Sequence, residues 1–175
     1  MTHEPAWPMP KIFRLAKDAG LNEGVFRGET INTPSMLAVE DVLDALDWAQ
    51  SIGGLAELIR RAERNKAAVA GFVERAEWAD FLARDPRTRS PTSFCIKVTD
   101  PRFQGLPAPD QAEIVKRVAA LLERERAAFD IGSYAAAPPG FRIWTGATVE
   151  MADIEAMLPW LDYAYRCVWA EADPT

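Results

Sequence analysis

Apolar positions recur at helical spacing in four stretches of the chain and alternate in others. Met36, Val39, Leu43 and Leu46 form one stripe, widened by Leu37, Val42, Ala45 and Ala49, and predict a helix over 34–52. Thr33 is its expected N-cap, Pro34 its first helical residue, and Gly53-Gly54 its stop. Leu55, Leu58, Ile59, Ala62, Val69 and Phe72 predict a second helix over 55–75, with Arg60, Arg61, Arg64 and Lys66 on its other face. Asp110 and Glu113 resemble a capping box opening a third helix that runs to about Ala127, with Ile114, Val118, Leu121 and Leu122 inward. The last helix is expected over 149–169, with Ile154, Leu158, Leu161, Tyr165 and Val168 on one stripe and a kink at Pro159.

Between these stretches the period shortens to two. Trp78 to Leu82 and Thr92 to Thr99 read as strands, the second with Phe94, Ile96 and Val98 on one face and Cys95 and Lys97 on the other. Arg84 to Arg87 is the turn between them, and 100–109 reads as a loop. Phe129 to Tyr134 and Phe141 to Thr145 are two further strand candidates. Residues 1–33, with Pro5, Pro8, Pro10, Gly20, Gly24 and Gly28, hold no period and read as an irregular arm. The fold class is therefore α+β: an irregular N-terminal arm over 1–33, a helical connector over 34–75, and a small domain over 76–175 with an antiparallel sheet covered by helices on one face.

Composition narrows the function. The chain has 175 residues, a formal net charge of −6, two Cys and one His. That acidity argues against a broad nucleic-acid surface. Two cysteines build neither a disulfide scaffold nor a four-ligand zinc site, and Cys95 and Cys167 are expected as small core residues. No apolar run is long enough to span a bilayer, and the first ten residues carry no apolar core of a secretory signal, so a cytoplasmic location is expected. His3 is the single His and sits in the Pro-rich leader, which leaves no local Ser-His-Asp or Cys-His centre. No phosphate-binding Gly-rich loop, dinucleotide fingerprint or metal-ligand cluster is present in the sequence.

Chemistry can reside in three places. Asn32, Thr33 and Ser35 put small hydrogen-bonding side chains at a predicted helix start, where free N–H groups favour an anion such as phosphate; simple capping explains the same residues. Arg142 lies among apolar residues on a predicted strand, and a partly buried guanidinium needs an anion, either a substrate carboxylate or an internal Asp or Glu. Arg84 to Ser90 is a dense basic turn that reads as a solvated loop. Trp160, Tyr163, Tyr165 and Trp169 read as helix packing.

The motifs Gly-Glu-Thr-Ile-Asn-Thr-Pro-Ser-Met (28–36), Leu-Asp-Ala-Leu-Asp-Trp-Ala (43–49), Ser-Ile-Gly-Gly-Leu (51–55) and Pro-Pro-Gly-Phe-Arg-Ile-Trp-Thr-Gly-Ala-Thr-Val-Glu (138–150) together resemble the phosphoserine aminotransferase family, pyridoxal-phosphate enzymes of fold type I. The resemblance runs from about Pro5 to Val168 and covers the C-terminal half of the family's chain. It implies amino transfer between glutamate and 3-phosphohydroxypyruvate in serine biosynthesis, with some bacterial members serving the vitamin B6 pathway. It implies a homodimer in which Asn32 and Thr33 reach the cofactor phosphate of the neighbouring subunit, and Arg142 clamps the substrate α-carboxylate. The family's Schiff-base lysine, the aromatic over the pyridine ring and the Asp at its nitrogen lie upstream, and none of Lys11, Lys17, Lys66, Lys97 and Lys116 has that lysine's context. No catalytic residue is therefore expected in this chain. Family members also carry a basic residue shortly before the clamping Arg, near the substrate phosphate, where this chain has Ala135, Ala136 and Ala137. Two functions follow: part of a phosphoserine aminotransferase that is inactive alone, or a non-catalytic binding or dimerisation module derived from one.

Overall fold

The computed structural model describes residues 7–8, 10–13, 15–17, 20–134 and 136–172. His3, Pro5 and Ala135 lie outside them. The chain divides into two compact units, Met1–Ser51 and Ile52–Thr175.

The first unit is irregular until its end. Two 3-10 turns, Lys11–Phe13 and Glu23–Arg27, flank a minimal antiparallel pair, β1 (Ala16–Lys17) and β2 (Gly20–Leu21). Gly28, at φ 86°, closes the second turn in a left-handed conformation that costs glycine nothing. Helix α1 spans Met36–Ser51 and buries none of its residues. Its cap is Ser35, whose Oγ accepts from the Ala38 N–H at 3.4 Å, and not Thr33 as expected. Pro34 accordingly lies one residue outside the helix.

The second unit holds α2 (Gly54–Arg75), β3 (Ala79–Phe81), β4 (Ser93–Val98), the single turn α3 (Pro101–Gln104), α4 (Ala108–Arg124), β5 (Gly140–Trp144) and α5 (Met151–Ala172). The three strands form an antiparallel sheet in the order β3-β4-β5. Register places Phe81 opposite Ile96 and Ile96 opposite Phe141. One face therefore carries Ala79, Phe81, Phe94, Ile96, Val98, Phe141 and Ile143, all buried. Helix α5 packs against both α2 and α4, and α2 and α4 reach the sheet at β3 and β5. Val69, Val118, Leu122 and Leu161 are fully buried in that layer. Burial of each such side chain contributes about 1.5–3 kcal/mol before chain entropy is charged against it.

Polar groups fix the joints. Asp100 caps α3 by accepting from the Arg102 N–H at 2.9 Å, and Phe103 anchors that turn in the core. Trp78 stacks on Tyr165 with centroids 4.0 Å apart, and its indole N–H donates to Asp162 at 2.8 Å. Gly140 is required by close approach: a Cβ there would run into the Ile96 carbonyl oxygen.

Several expectations are corrected. Phe129 to Tyr134 is not a strand: Phe129 is exposed, Asp130 takes φ 51°, and only Gly132 makes a bridge, to Phe141. The 100–109 loop contains α3. Helix α4 starts at Ala108 behind Pro107, so Asp110 sits within its first turn instead of capping it, and the helix ends at Arg124. Leu55 and Ile59 are exposed because only the stretch of α2 from Ala62 onward buries its stripe. Cys95 and Cys167 are half-buried, and Trp160 and Tyr163 are exposed whereas Tyr165 and Trp169 are core. Pro159 lies inside α5, which continues past it to Ala172.

Candidate functional site

Alternation along β5 sends Phe141 and Ile143 into the core and Arg142 and Trp144 to the opposite face of the sheet. Cys95 lies opposite Arg142 and Ser93 opposite Trp144 on that outer face, and Lys97 pairs there with Asp80 across β3 and β4 at 2.9 Å. The Lys97 ammonium holds the Asp80 carboxyl below the usual carboxylate range.

Arg142 is nevertheless well covered, with only 14% of its side chain exposed. The segment before β5 folds over it. Asp130 Oδ2 accepts from Arg142 Nη2 at 2.5 Å, and the Asp130 backbone carbonyl accepts from the same nitrogen at 3.3 Å. The Tyr134 ring lies over the guanidinium with its centroid 4.5 Å from Cζ. The Asp130 carboxylate raises the Arg142 pKa further above its ordinary value, so the guanidinium is a fixed cation. Arg142 Nε is buried and has no hydrogen-bond partner. A buried N–H without a partner inside the protein is costly.

The backbone beyond β5 is fastened to α2. Asn65 Nδ2, fully buried, donates to the carbonyls of Val149 at 2.9 Å, Thr145 at 3.2 Å and Gly146 at 3.4 Å. Arg61 Nε donates to the Ala147 carbonyl at 2.7 Å, and its Nη2 pairs with Glu150. Thr145 Oγ1 donates to the Pro91 carbonyl at 2.9 Å. The strand that carries Arg142 thus leads into a loop held by directional bonds. Arg142 contributes to the walls of two cavities. One, lined by Cys95, Lys97, Tyr134 and Pro138 among others, has a volume of about 10 Å³, room for about one water molecule. The other is an apolar cleft of about 390 Å³ between Phe129, Ile131, Trp144, Val149 and Met157.

Arg142 therefore stands where the pattern put it, and its internal partner is Asp130. Asn32 and Thr33 belong to the other unit and are exposed, ahead of the Ser35 cap. The basic turn is solvated as expected, except that Arg89 stacks on Phe81 at 4.1 Å and donates to the Ala83 carbonyl. The sequence pattern does not single out Asp130, Tyr134 or Asn65 as site residues. Asp130 lies in a stretch whose alternation predicts a strand; the tolerance of Asp for left-handed backbone is the signal that points the other way. Asn65 offered a signal too, a lone amide between the apolar positions Ala62 and Val69.

Pyridoxal phosphate is held covalently only through a lysine, and the side chains of four of the five lysines are described. Lys66, Lys97 and Lys116 are engaged by Glu63, Asp80 and Glu113, and Lys11 is exposed on a 3-10 turn. The cavity that Lys97 lines beside Arg142 is too small for a pyridine ring. Among the described residues no group of three His, Cys, Asp or Glu is placed to hold a metal ion, and no helix is long and apolar enough to cross a membrane.

No family model matches the chain. Phosphoserine aminotransferase from Methanosarcina mazei is 48% identical over 167 residues, 95% of this chain and 42% of that protein. Its counterpart from Methanosarcina barkeri is 47% identical over 169 residues, again 95% of this chain and 42% of the relative. Among solved structures, phosphoserine aminotransferase from Bacillus circulans subsp. alkalophilus shares the fold, with a TM-score of 0.65 at 16% identity over 82% of this chain and 36% of that one. Nearly the whole chain is thus related to phosphoserine aminotransferases, the family its motifs resemble, and corresponds to about two-fifths of one.

Proposed function

We propose that this chain is the C-terminal portion of a phosphoserine aminotransferase and acts in amino transfer between glutamate and 3-phosphohydroxypyruvate only together with the remainder of that enzyme. The observation that supports this most directly is Arg142: a guanidinium held in a nearly closed setting, with Nε buried and unpartnered. A planar fork of that kind grips a carboxylate through two N–H groups. In this reading Arg142 orients the substrate by its α-carboxylate, and the loop locked by Asn65 and Arg61 keeps β5 in place while it does so. Asn32 and Thr33 would donate to the cofactor phosphate in the complete dimer. Pyridoxal phosphate, when bound there, supplies the electron sink for amino transfer. The lysine that holds it belongs to the remainder of the enzyme, and the complete enzyme is expected in the cytoplasm.

The test is reconstitution. The chain is co-expressed with the N-terminal remainder of the Methanosarcina mazei relative, and transamination of 3-phosphohydroxypyruvate by glutamate is followed. The complex is expected to turn over, and Arg142→Gln in it to raise KM by at least tenfold. The isolated chain, treated with pyridoxal phosphate and borohydride, is expected to show no stoichiometric adduct by mass spectrometry. A stoichiometric adduct on one lysine of the isolated chain refutes the division of labour.

The second reading, a non-catalytic dimerisation module, is favoured by α1. Met36, Leu37, Val42, Leu43 and Leu46 are all exposed on it, an apolar surface of the kind that associating proteins bury. A stable complex with the N-terminal remainder that never turns over would select this reading.

A further inference from the structure

Arg142 and Asp130 share their ion pair unequally. The Arg142 side chain is 14% exposed, whereas that of Asp130 is 88% exposed and reaches the guanidinium through a single carboxylate oxygen. Asp130 thus spans one tip of the fork, Nη2, and leaves Nε closed off without a partner. A carboxylate that met Nη2 and Nε together would make one bond more than Asp130 makes.

The backbone around Asp130 is also unusual. Arg126 and Asp130 are the described non-glycine residues with positive φ, at 57° and 51°. Left-handed backbone is disfavoured for residues with a Cβ, and Asp and Asn tolerate it best. The bend at Asp130 brings its carboxylate and its own carbonyl to Nη2. From there the chain runs to Tyr134, whose ring covers the guanidinium. The same bend borders the apolar cleft of about 390 Å³, which Phe129, Asp130 and Arg142 all line.

We infer that Asp130 is a resident, displaceable counter-ion of Arg142: an internal carboxylate that occupies the fork in the free chain and that an incoming carboxylate ligand must expel. The inference rests on the reading of Arg142 as a carboxylate site and adds the residue that competes for it. Asp130 keeps the buried cation paired when no ligand is present, and its one-tip grip makes it the weaker ligand. Asp130 is thereby a specificity-determining residue, because a ligand that offers only one acceptor oxygen gains nothing over it.

The experiment uses the full chain with L-phosphoserine as probe, followed through the Arg142 Nε–H signal in a proton–nitrogen correlation spectrum. Asp130→Asn keeps the size and the left-handed tolerance of the residue and removes its charge. Asp130→Gly relieves the backbone as well and serves as the second variant. Both are expected to tighten phosphoserine binding by about tenfold or more, with the Nε–H signal of the ligand-free variants already displaced from that of the parent chain. Arg142→Gln is expected to abolish binding. Unchanged affinity in both Asp130 variants, with binding still lost in Arg142→Gln, overturns the counter-ion and leaves the carboxylate site standing. Absence of phosphoserine binding in the parent chain and in both variants overturns the two together.

Discussion

Asn65 is the clearest place to test how the second unit holds its site. Its amide has two N–H groups and faces three carbonyls, at 2.9, 3.2 and 3.4 Å. The Gly146 carbonyl also accepts from the Val149 N–H at 3.0 Å and keeps a partner when Asn65 is removed. The carbonyls of Thr145 and Val149 lose their bonds from the amide. Each buried carbonyl so stranded costs about 1–3 kcal/mol. Asn65→Ala is therefore expected to destabilise by about 3 kcal/mol, allowing for partial relaxation. In urea, with a slope of about 2 kcal/mol/M, the midpoint should fall by roughly 1.5 M at unchanged slope. Hydrogen exchange should accelerate at Val149 and Ile154, whose N–H groups bond within this loop and the first turn of α5. Asn65→Asp supplies a control of sign. At neutral pH it points a charge at three carbonyl oxygens and should cost more than Ala. That carboxyl would be held protonated to a higher pH folded than unfolded, so its relative stability is best in acid and is lost as pH rises through the folded pKa. A midpoint shift below about 0.5 M for Asn65→Ala would refute the reasoning, because it corresponds to about 1 kcal/mol at that slope, no more than the cheapest single stranded carbonyl.

Three further outcomes are expected. Gly140→Ala drives a methyl into the Ile96 carbonyl and should lower stability by about 1–3 kcal/mol, read as a fall in the urea midpoint; an unchanged midpoint would show that β4 and β5 part without cost. Asp100, lowered by its bonds to Arg102, and Asp80, lowered by Lys97, stabilise the fold above about pH 4 and lose that contribution as pH falls through their depressed folded values; the double variant Asp80→Asn, Asp100→Asn should flatten the acid limb of a stability–pH curve below that point. Leu43→Glu and Leu46→Glu on α1 should each change the midpoint by less than about 0.5 kcal/mol equivalent in the isolated chain, since both side chains are exposed, and should weaken capture of the N-terminal remainder in a pull-down.

Legibility in the sequence followed the strength of local pattern. The alternation Phe94, Ile96, Val98 placed β4 and its inner face, because period two has one structural meaning when the odd positions are polar or small. The same reasoning failed at Phe129 to Tyr134, where alternation existed but no partner strand was available beyond a single bridge. Pairing is a property of the fold, and no window of sequence contains it. Thr33 and Ser35 are chemically interchangeable caps, and Pro34 fits the first helical position; the choice of Ser35 was made by where the helix begins. Arg142 was legible because a cation among Phe141, Ile143 and Trp144 needs an explanation wherever it lies. Asp130 was not, since its contact with Arg142 depends on a bend twelve residues upstream.

The bridge at Gly132 has a consequence beyond the guanidinium. β5 ends the sheet, and among the described residues its outer margin is closed by that bridge, in which the Arg142 N–H donates to the Ile131 carbonyl at 2.8 Å. An uncovered strand margin templates the addition of further chains and, eventually, fibrils. Ile131 and Gly132 directly follow Asp130, so whatever carries Asp130 away from Arg142 also loosens the cover over β5. Aggregation and ligand capture therefore draw on the same few residues, and a variant that frees the guanidinium should be kept dilute, or kept saturated with its carboxylate.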